Sequence, residues 1–248
     1  MKLIKVTVLL TYLGMIIVNA LANILPINGI STGEISDSYP NLFAPAGLTF
    51  SIWGLIYILL GAYTIYQFTK KSDLINKINK YFILTSVINI LWIFSWHYQL
   101  IFISVILMII LLISLIKIAN IINEEKLKYE QNIYISLPFT IYFGWITVAT
   151  IANITIFLVS INWNGFGISN DIWTIIILLI GTLIGILRLF KDKRIAYAFV
   201  FIWAYIGIII KHLNFFNNQY PIIIGTAIFC IILFIISIFY TLKNDRLI

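Results

Sequence analysis

The sequence predicts an all-α integral membrane protein with about eight transmembrane helices. Three observations carry this. Hydrophobic residues make up 62% of the 248-residue chain and charged residues 10%, against roughly 25% charged in an average soluble domain. Apolar runs of spanning length recur along the whole chain. The Lys and Arg residues fall on alternate connections between those runs.

The runs cover about 4–25, 47–69, 81–98, 99–120, 134–159, 172–190, 195–212 and 221–241. In the first, Tyr12, Ile16, Asn19 and Asn23 share a helical face. Two amides on one face of a span argue for packing inside a bundle. A rival reading is a signal peptide, with Lys2 and Lys5 ahead of an apolar stretch and Ala20-Leu21-Ala22 as a small-x-small cleavage site. The third and fourth runs are separated only by His97, Tyr98 and Gln99. A single helix through both would be about 60 Å long, twice the hydrocarbon thickness, so a tight turn is expected there.

Of the sixteen Lys and Arg residues, all but Lys211 lie on one set of alternate connections or at the termini. That pattern predicts both termini on the cytoplasmic side, in a bacterial cytoplasmic membrane rich in anionic lipid. The net charge of +7 then needs no nucleic-acid partner. Expected partners are membrane lipid, a small hydrophobic ligand and, in a homo-oligomer, a second copy.

The outer connections differ. Residues 26–45 contain Pro26, Pro40, Pro45, Glu34 and Asp37 and no cation, and a loop this long in a compact protein is usually functional or disordered. Residues 160–171 are also cation-free and carry Trp163. With Trp173 it reads as an interfacial belt residue; alternatively, the two loops together cover an outward-facing cavity.

Aromatic stripes interleaved with amides distinguish three spans. Phe50, Trp53 and Tyr57 share a face in the second; Thr85, Asn89, Trp92 and Trp96 in the third; Pro138, Tyr142, Trp145, Ala149 and Asn153 in the fifth. Asn is costly in lipid, so Asn89 and Asn153 either glue helices together or orient a ligand. Pockets for apolar molecules are lined by rings with a few polar groups, which makes these stripes candidate cavity walls. The last three spans read as packing elements. Gly181 and Gly185 form a small-xxx-small pair, and Trp203, Tyr205, Lys211 and His212 are the exceptions.

No catalytic set is readable: there is no phosphate loop, no metal-ligand cluster and no serine with an evident base. His97 and His212 are read as hydrated residues at the membrane boundary. Lys211 invites a retinal Schiff-base reading, but no span supplies a carboxylate counter-ion. Cys230 stands alone in an apolar run and reads as packing.

Pro45, Phe50, Trp53 and Tyr57, then Asn89-Ile90-Leu91-Trp92, then Pro138, Trp145, Ala149 and Asn153, make residues 1–160 resemble the tryptophan-rich sensory proteins, bacterial relatives of the translocator protein or peripheral benzodiazepine receptor. The resemblance implies a five-helix translocator-protein-like bundle over 1–160, with residues 161–248 as a three-helix membrane extension. It also implies a cavity beneath the first loop for porphyrins, sterols or synthetic aromatic ligands, lined by Trp53, Asn89, Trp92, Trp145, Ala149 and Asn153. The chain departs from the family in having Gly47 and Leu48 where a further Trp is usual, and in placing Pro138 about a turn farther ahead of Trp145. The expected function is binding a small apolar aromatic ligand, a tetrapyrrole or sterol-like molecule, for sensing or regulation. The alternative is a transporter of a lipophilic solute; an enzyme acting on a tetrapyrrole has no support in the residues. N-terminal sequencing of the mature protein checks the first span: retention of residues 1–22 is the expected result, and a chain starting at Asn23 would remove that helix.

Overall fold

The computed structural model describes residues 2–24 and 27–245, with side chains described to residue 243. Leu25, Pro26 and Arg246, assigned above to a span end, a loop and a terminus, lie outside the described residues. Every regular element among the described residues is helical. Eight helices have spanning length: α1 Lys2–Ile24, α2 Ile52–Thr69, α3 Asp73–His97, α4 Ile101–Asn123, α5 Leu137–Ser160, α6 Asn170–Asp192, α7 Ile195–Asn214 and α8 Pro221–Asp245. At 1.5 Å per residue a 23-residue helix such as α4 is about 35 Å long, enough to cross roughly 30 Å of hydrocarbon.

Two boundaries depart from the hydropathy reading. α3 begins at Asp73 rather than Tyr81, because its first turns are amphipathic: Leu74, Ile75 and Ile78 are buried while Asp73, Lys77 and Lys80 are exposed. α5 is preceded by a short helical turn at Tyr129–Gln131 and a wider π turn at Asn132–Ser136. Pro138 explains the widening, since its ring clashes with the carbonyl four residues back and it brings no N–H.

The tight turn between α3 and α4 is present, at the end of the bundle that the cation pattern labels outer. Gln99 takes a left-handed conformation (φ 54°), and the amides of Gln99 and Leu100 donate to the carbonyls of Trp96 and Ser95 at 3.0 and 2.8 Å. This closes the end of α3 with no carbonyl wasted and lets α4 return beside it.

α1 packs on α2 and α3, α3 on α4, α4 on α5, and α2 on α5. α7 packs on α5, and α8 closes against α6 and α7. Lipid tails are as apolar as the side chains, so these contacts hold by close fit and hydrogen bonds rather than by water exclusion. The predicted small-residue contacts are made: Gly181 lies under the Tyr205 hydroxyl and Gly185 under the Phe234 ring. Gly144 on α5 has no room for a side chain against Val200 and the Tyr197 carbonyl of α7.

Polar bonds fasten the end that carries the termini. At the inner end the Lys5 ammonium, itself buried, donates to the Gln67 and Lys70 carbonyls at the C-terminus of α2, where the helix dipole favours a cation. Asn79 donates to the Gln67 side chain at 2.8 Å, and Tyr63 to Asn79 at 2.6 Å. Across the bundle Arg188 pairs with Asp192 at 2.5 Å, reaches Asn120 at 3.2 Å and lies over the Phe143 ring. These bonds tie α6 to α4 and α5.

The histidines correct the sequence reading. His97 and His212 are both 0% exposed, because each holds a carbonyl of the first outer loop (Ile27 at 3.0 Å, Leu42 at 2.9 Å) and is covered by it. Replacing Gly144 with Leu is expected to cost about 1–3 kcal/mol by overpacking the α5–α7 contact, measured as a lower midpoint of unfolding in detergent.

Candidate functional site

The first outer loop runs as a short helix, Thr32–Asp37, then an extended stretch, then a 3-10 turn, Gly47–Ser51, that leads into α2. Ser31 caps the short helix. Its amide donates to the Glu34 carboxylate at 2.8 Å and its hydroxyl accepts from the Glu34 amide, a capping box. These bonds hold the Glu34 carboxyl below its ordinary range. The cap is therefore complete above the usual Glu pKa and is lost as pH falls through the lowered one.

This loop forms a lid over the outer ends of α1, α2, α3 and α5. On the α3 side, Trp96 donates its indole N–H to the Thr32 carbonyl at 3.1 Å. His97 Nδ1 lies 3.0 Å from the Ile27 carbonyl, which can only accept. Nδ1 therefore carries a proton and donates, while Nε2 lies 3.1 Å from the Thr32 hydroxyl.

Beneath the lid the three stripes meet. Trp53 is the hub: it stacks on Tyr57 at 5.4 Å and meets Tyr142 and Trp145 edge to face at 6.0 and 6.2 Å. Phe50 lies edge-on to Trp145 at 6.0 Å, and Trp92 stacks on Trp96 at 5.5 Å. The i, i+3, i+7 spacing of Phe50, Trp53 and Tyr57 does place all three rings on the inward side of α2.

Two hollows flank Trp53. One, of about 470 Å³, lies between α1, α2 and α3 and is lined by Asn19, Asn23, Phe50, Trp53, Tyr57 and Thr32, among others. It is open at its rim, where Asn23, Ile24 and Gly54 are exposed. The other lies between α2, α3 and α5 and is lined by Phe50, Trp53, Trp92, Trp96, Trp145, Ala149 and Asn153 with Pro45 and Ser36 from the lid. It holds only about 40 Å³, since the stacked rings fill it. The space enclosed by Trp53, Trp92 and Trp145 is thus almost closed, and the roomy hollow lies on the α1 side of Trp53.

The amides separate into two roles. Asn153 is consumed by helix contacts: its Oδ1 accepts from Trp92 at 3.0 Å, and its Nδ2 donates to Ser104 of α4 at 2.9 Å. Asn89 instead stands behind the hollows: its Oδ1 accepts from Asn19 at 2.7 Å, and its side chain faces the Tyr142 hydroxyl. Asn19 also reaches the Met15 carbonyl, and Asn23 donates to the Asn19 carbonyl. The Tyr57 hydroxyl and the Trp145 indole N–H are buried without partners. Tyr142 stands behind the hollows too, against the Trp53 ring.

The second outer loop takes no part in lining either hollow. Trp173 donates to the Gly165 carbonyl at 2.8 Å and packs on Trp163 at 5.1 Å, so that loop closes on itself. Residues outside the sequence-derived set complete the site: Thr32, Ser36 and Pro45 of the lid, and Ser104. Lys211 does have a carboxylate partner, but from the lid rather than a span: Asp37, at 2.6 Å. A lone outer cation facing an acidic loop was the signal for that pair.

A family model described as TSPO-like protein matches residues 5–240, from α1 into α8. No curated protein and no solved structure matches the chain. The matched region takes in α6, α7 and most of α8 together with the five helices whose motifs carry the resemblance, and the chain belongs to the TSPO-like family.

Proposed function

We propose that this membrane protein binds a small, largely apolar aromatic molecule, porphyrin- or sterol-like, for sensing or regulation. One observation carries the reading: two buried donors without partners, the Tyr57 hydroxyl and the Trp145 indole N–H, belong to residues that pack on Trp53 and line the two hollows beside it. Each unmet donor costs about 1–3 kcal/mol, and a ligand bringing an acceptor such as a carbonyl or carboxylate recovers part of that. The rings add about 0.5–1.5 kcal/mol per well-placed pair beyond the area they bury. A hollow of about 470 Å³ is within the usual range for drug-sized ligands.

Titration with protoporphyrin and related compounds, followed by Trp fluorescence, tests the reading. Saturable quenching is expected, and its absence across the panel would count against it. Tyr57→Phe should weaken binding about tenfold by removing one donor from a residue that lines the larger hollow, with folding retained. Asn153→Leu should instead lower stability by about 1–2 kcal/mol, because its bonds are between helices.

A second reading, a transporter of a lipophilic solute, draws on Ser51. This residue lines both the α1-side hollow and a crevice of about 500 Å³ between α2, α5 and α7. Solute flux into proteoliposomes separates the two readings.

The cation pattern supports a bacterial cytoplasmic membrane location with both termini inside. Cys230 is buried, so cysteines introduced at Ser72 and Ser169 report topology cleanly. A membrane-impermeant maleimide should label position 169 from outside and leave position 72 unlabelled.

A further inference from the structure

The lid is anchored twice. Its first part, from Ile27 to Thr32, is bound to the outer end of α3 through Trp96 and His97. Its second part, from Asp37 to Thr49, is bound to α7, a helix outside the five whose stripes form the hollows.

Four contacts make the second anchor. Trp203 donates its indole N–H to the Thr49 carbonyl at 2.9 Å. The Gly207 carbonyl accepts from the Ala46 amide at 3.0 Å. Lys211 pairs with Asp37 at 2.6 Å, and His212 Nε2 donates to the Leu42 carbonyl at 2.9 Å. Trp203, Gly207 and Lys211 are spaced four apart and form one face of α7. The approach is so close that a methyl group at 207 would overlap the Thr49 side chain, so this face admits the loop only where it has no side chain.

The position of this anchor matters. Thr49 immediately precedes Phe50, which lies on Trp145 and lines both hollows. Of the lid residues over the smaller hollow, Ser36 sits between the two anchors and Pro45 within the second, next to Ala46. Releasing α7 would loosen the segment after Tyr39, whose hydroxyl reaches Gln99 at 3.3 Å, while Ile27 to Thr32 stayed bound to α3, which is the geometry of a hinged cover.

We propose that α7 is the positioning element of the lid, and that Trp203, Gly207, Lys211 and His212 set how long the hollow beneath stays covered. The part concerning ligand exchange rests on the ligand-binding reading above; the part concerning the lid does not. The Asp37 carboxylate is half exposed, so screening keeps the ion pair's share small. The four contacts together hold the segment, and loosening one shifts a local opening equilibrium rather than the global one.

The experiment uses the full chain in lipid nanodiscs and compares wild type with Gly207→Ala, Lys211→Gln and the charge exchange Asp37→Lys with Lys211→Asp. Amide hydrogen exchange over residues 37–46 is read first. Exchange is expected to quicken about fivefold in Gly207→Ala and in Lys211→Gln, with partial recovery in the charge exchange and with residues of α5 unchanged as the control for folding. Exchange within about twofold of wild type in both single variants would overturn the anchor. Protoporphyrin dissociation, followed by recovery of Trp fluorescence, is read second and should quicken in parallel. Faster amide exchange with unchanged dissociation would overturn control of access while leaving the anchor standing. Should wild type bind none of the panel, the binding reading fails and the exchange measurement alone decides the anchor.

Discussion

A polar group inside a bilayer has no water to turn to, and the structure follows from how each one is met. Backbone groups are met by helix formation, which is why every spanning element here is a helix. Side chains are met across helices: Trp92 and Ser104 on Asn153, Asn19 on Asn89, Asn79 on Gln67, Lys5 on the free carbonyls of α2. Each such bond is worth only about 0.6–2 kcal/mol in a membrane. Their value is positional, since they fix which face of each helix turns inward. Against that background the Tyr57 hydroxyl and the Trp145 indole N–H stand out, because both are unmet donors on rings that pack against Trp53.

Much of this architecture was legible in the sequence for a simple reason. Lipid imposes a length and a hydropathy on each helix, and the inner face collects cations, so spans can be counted without knowing how they pack. The Phe50–Trp53–Tyr57 face was legible too, because helical periodicity alone decides it. What periodicity leaves open is the partner. Asn89 and Asn153 look alike on their stripes, and only the neighbouring helices decide what each one meets: Asn19 and Tyr142 for the first, Trp92 and Ser104 for the second. His97 and His212 were misread because position along a helix suggests the interface, whereas a loop folded over the end makes that position interior. The early start of α3 was hidden by Lys77 and Lys80, whose charge lowers the average over a face that is apolar on its other side.

The helices after residue 160 are joined to the rest at both ends by different means. At the inner end Arg188 and Asp192 reach Asn120 and Asn123; at the outer end α7 takes hold of the lid. In mid-membrane Gly144 allows α5 and α7 to touch backbone to side chain. The helices before and after residue 160 are thus in contact at both ends and between them.

The rim of the α1-side hollow, at Asn23, Ile24 and Gly54, has a thermodynamic consequence. On the ligand-binding reading proposed above, a molecule that enters by this rim from lipid is governed by its concentration in the bilayer. Each buried methylene favours that phase by about 0.8 kcal/mol, so five of them enrich a solute about a thousandfold over water. A site fed in this way fills at low aqueous concentration even when its own contacts are weak, and the membrane supplies most of the apparent affinity.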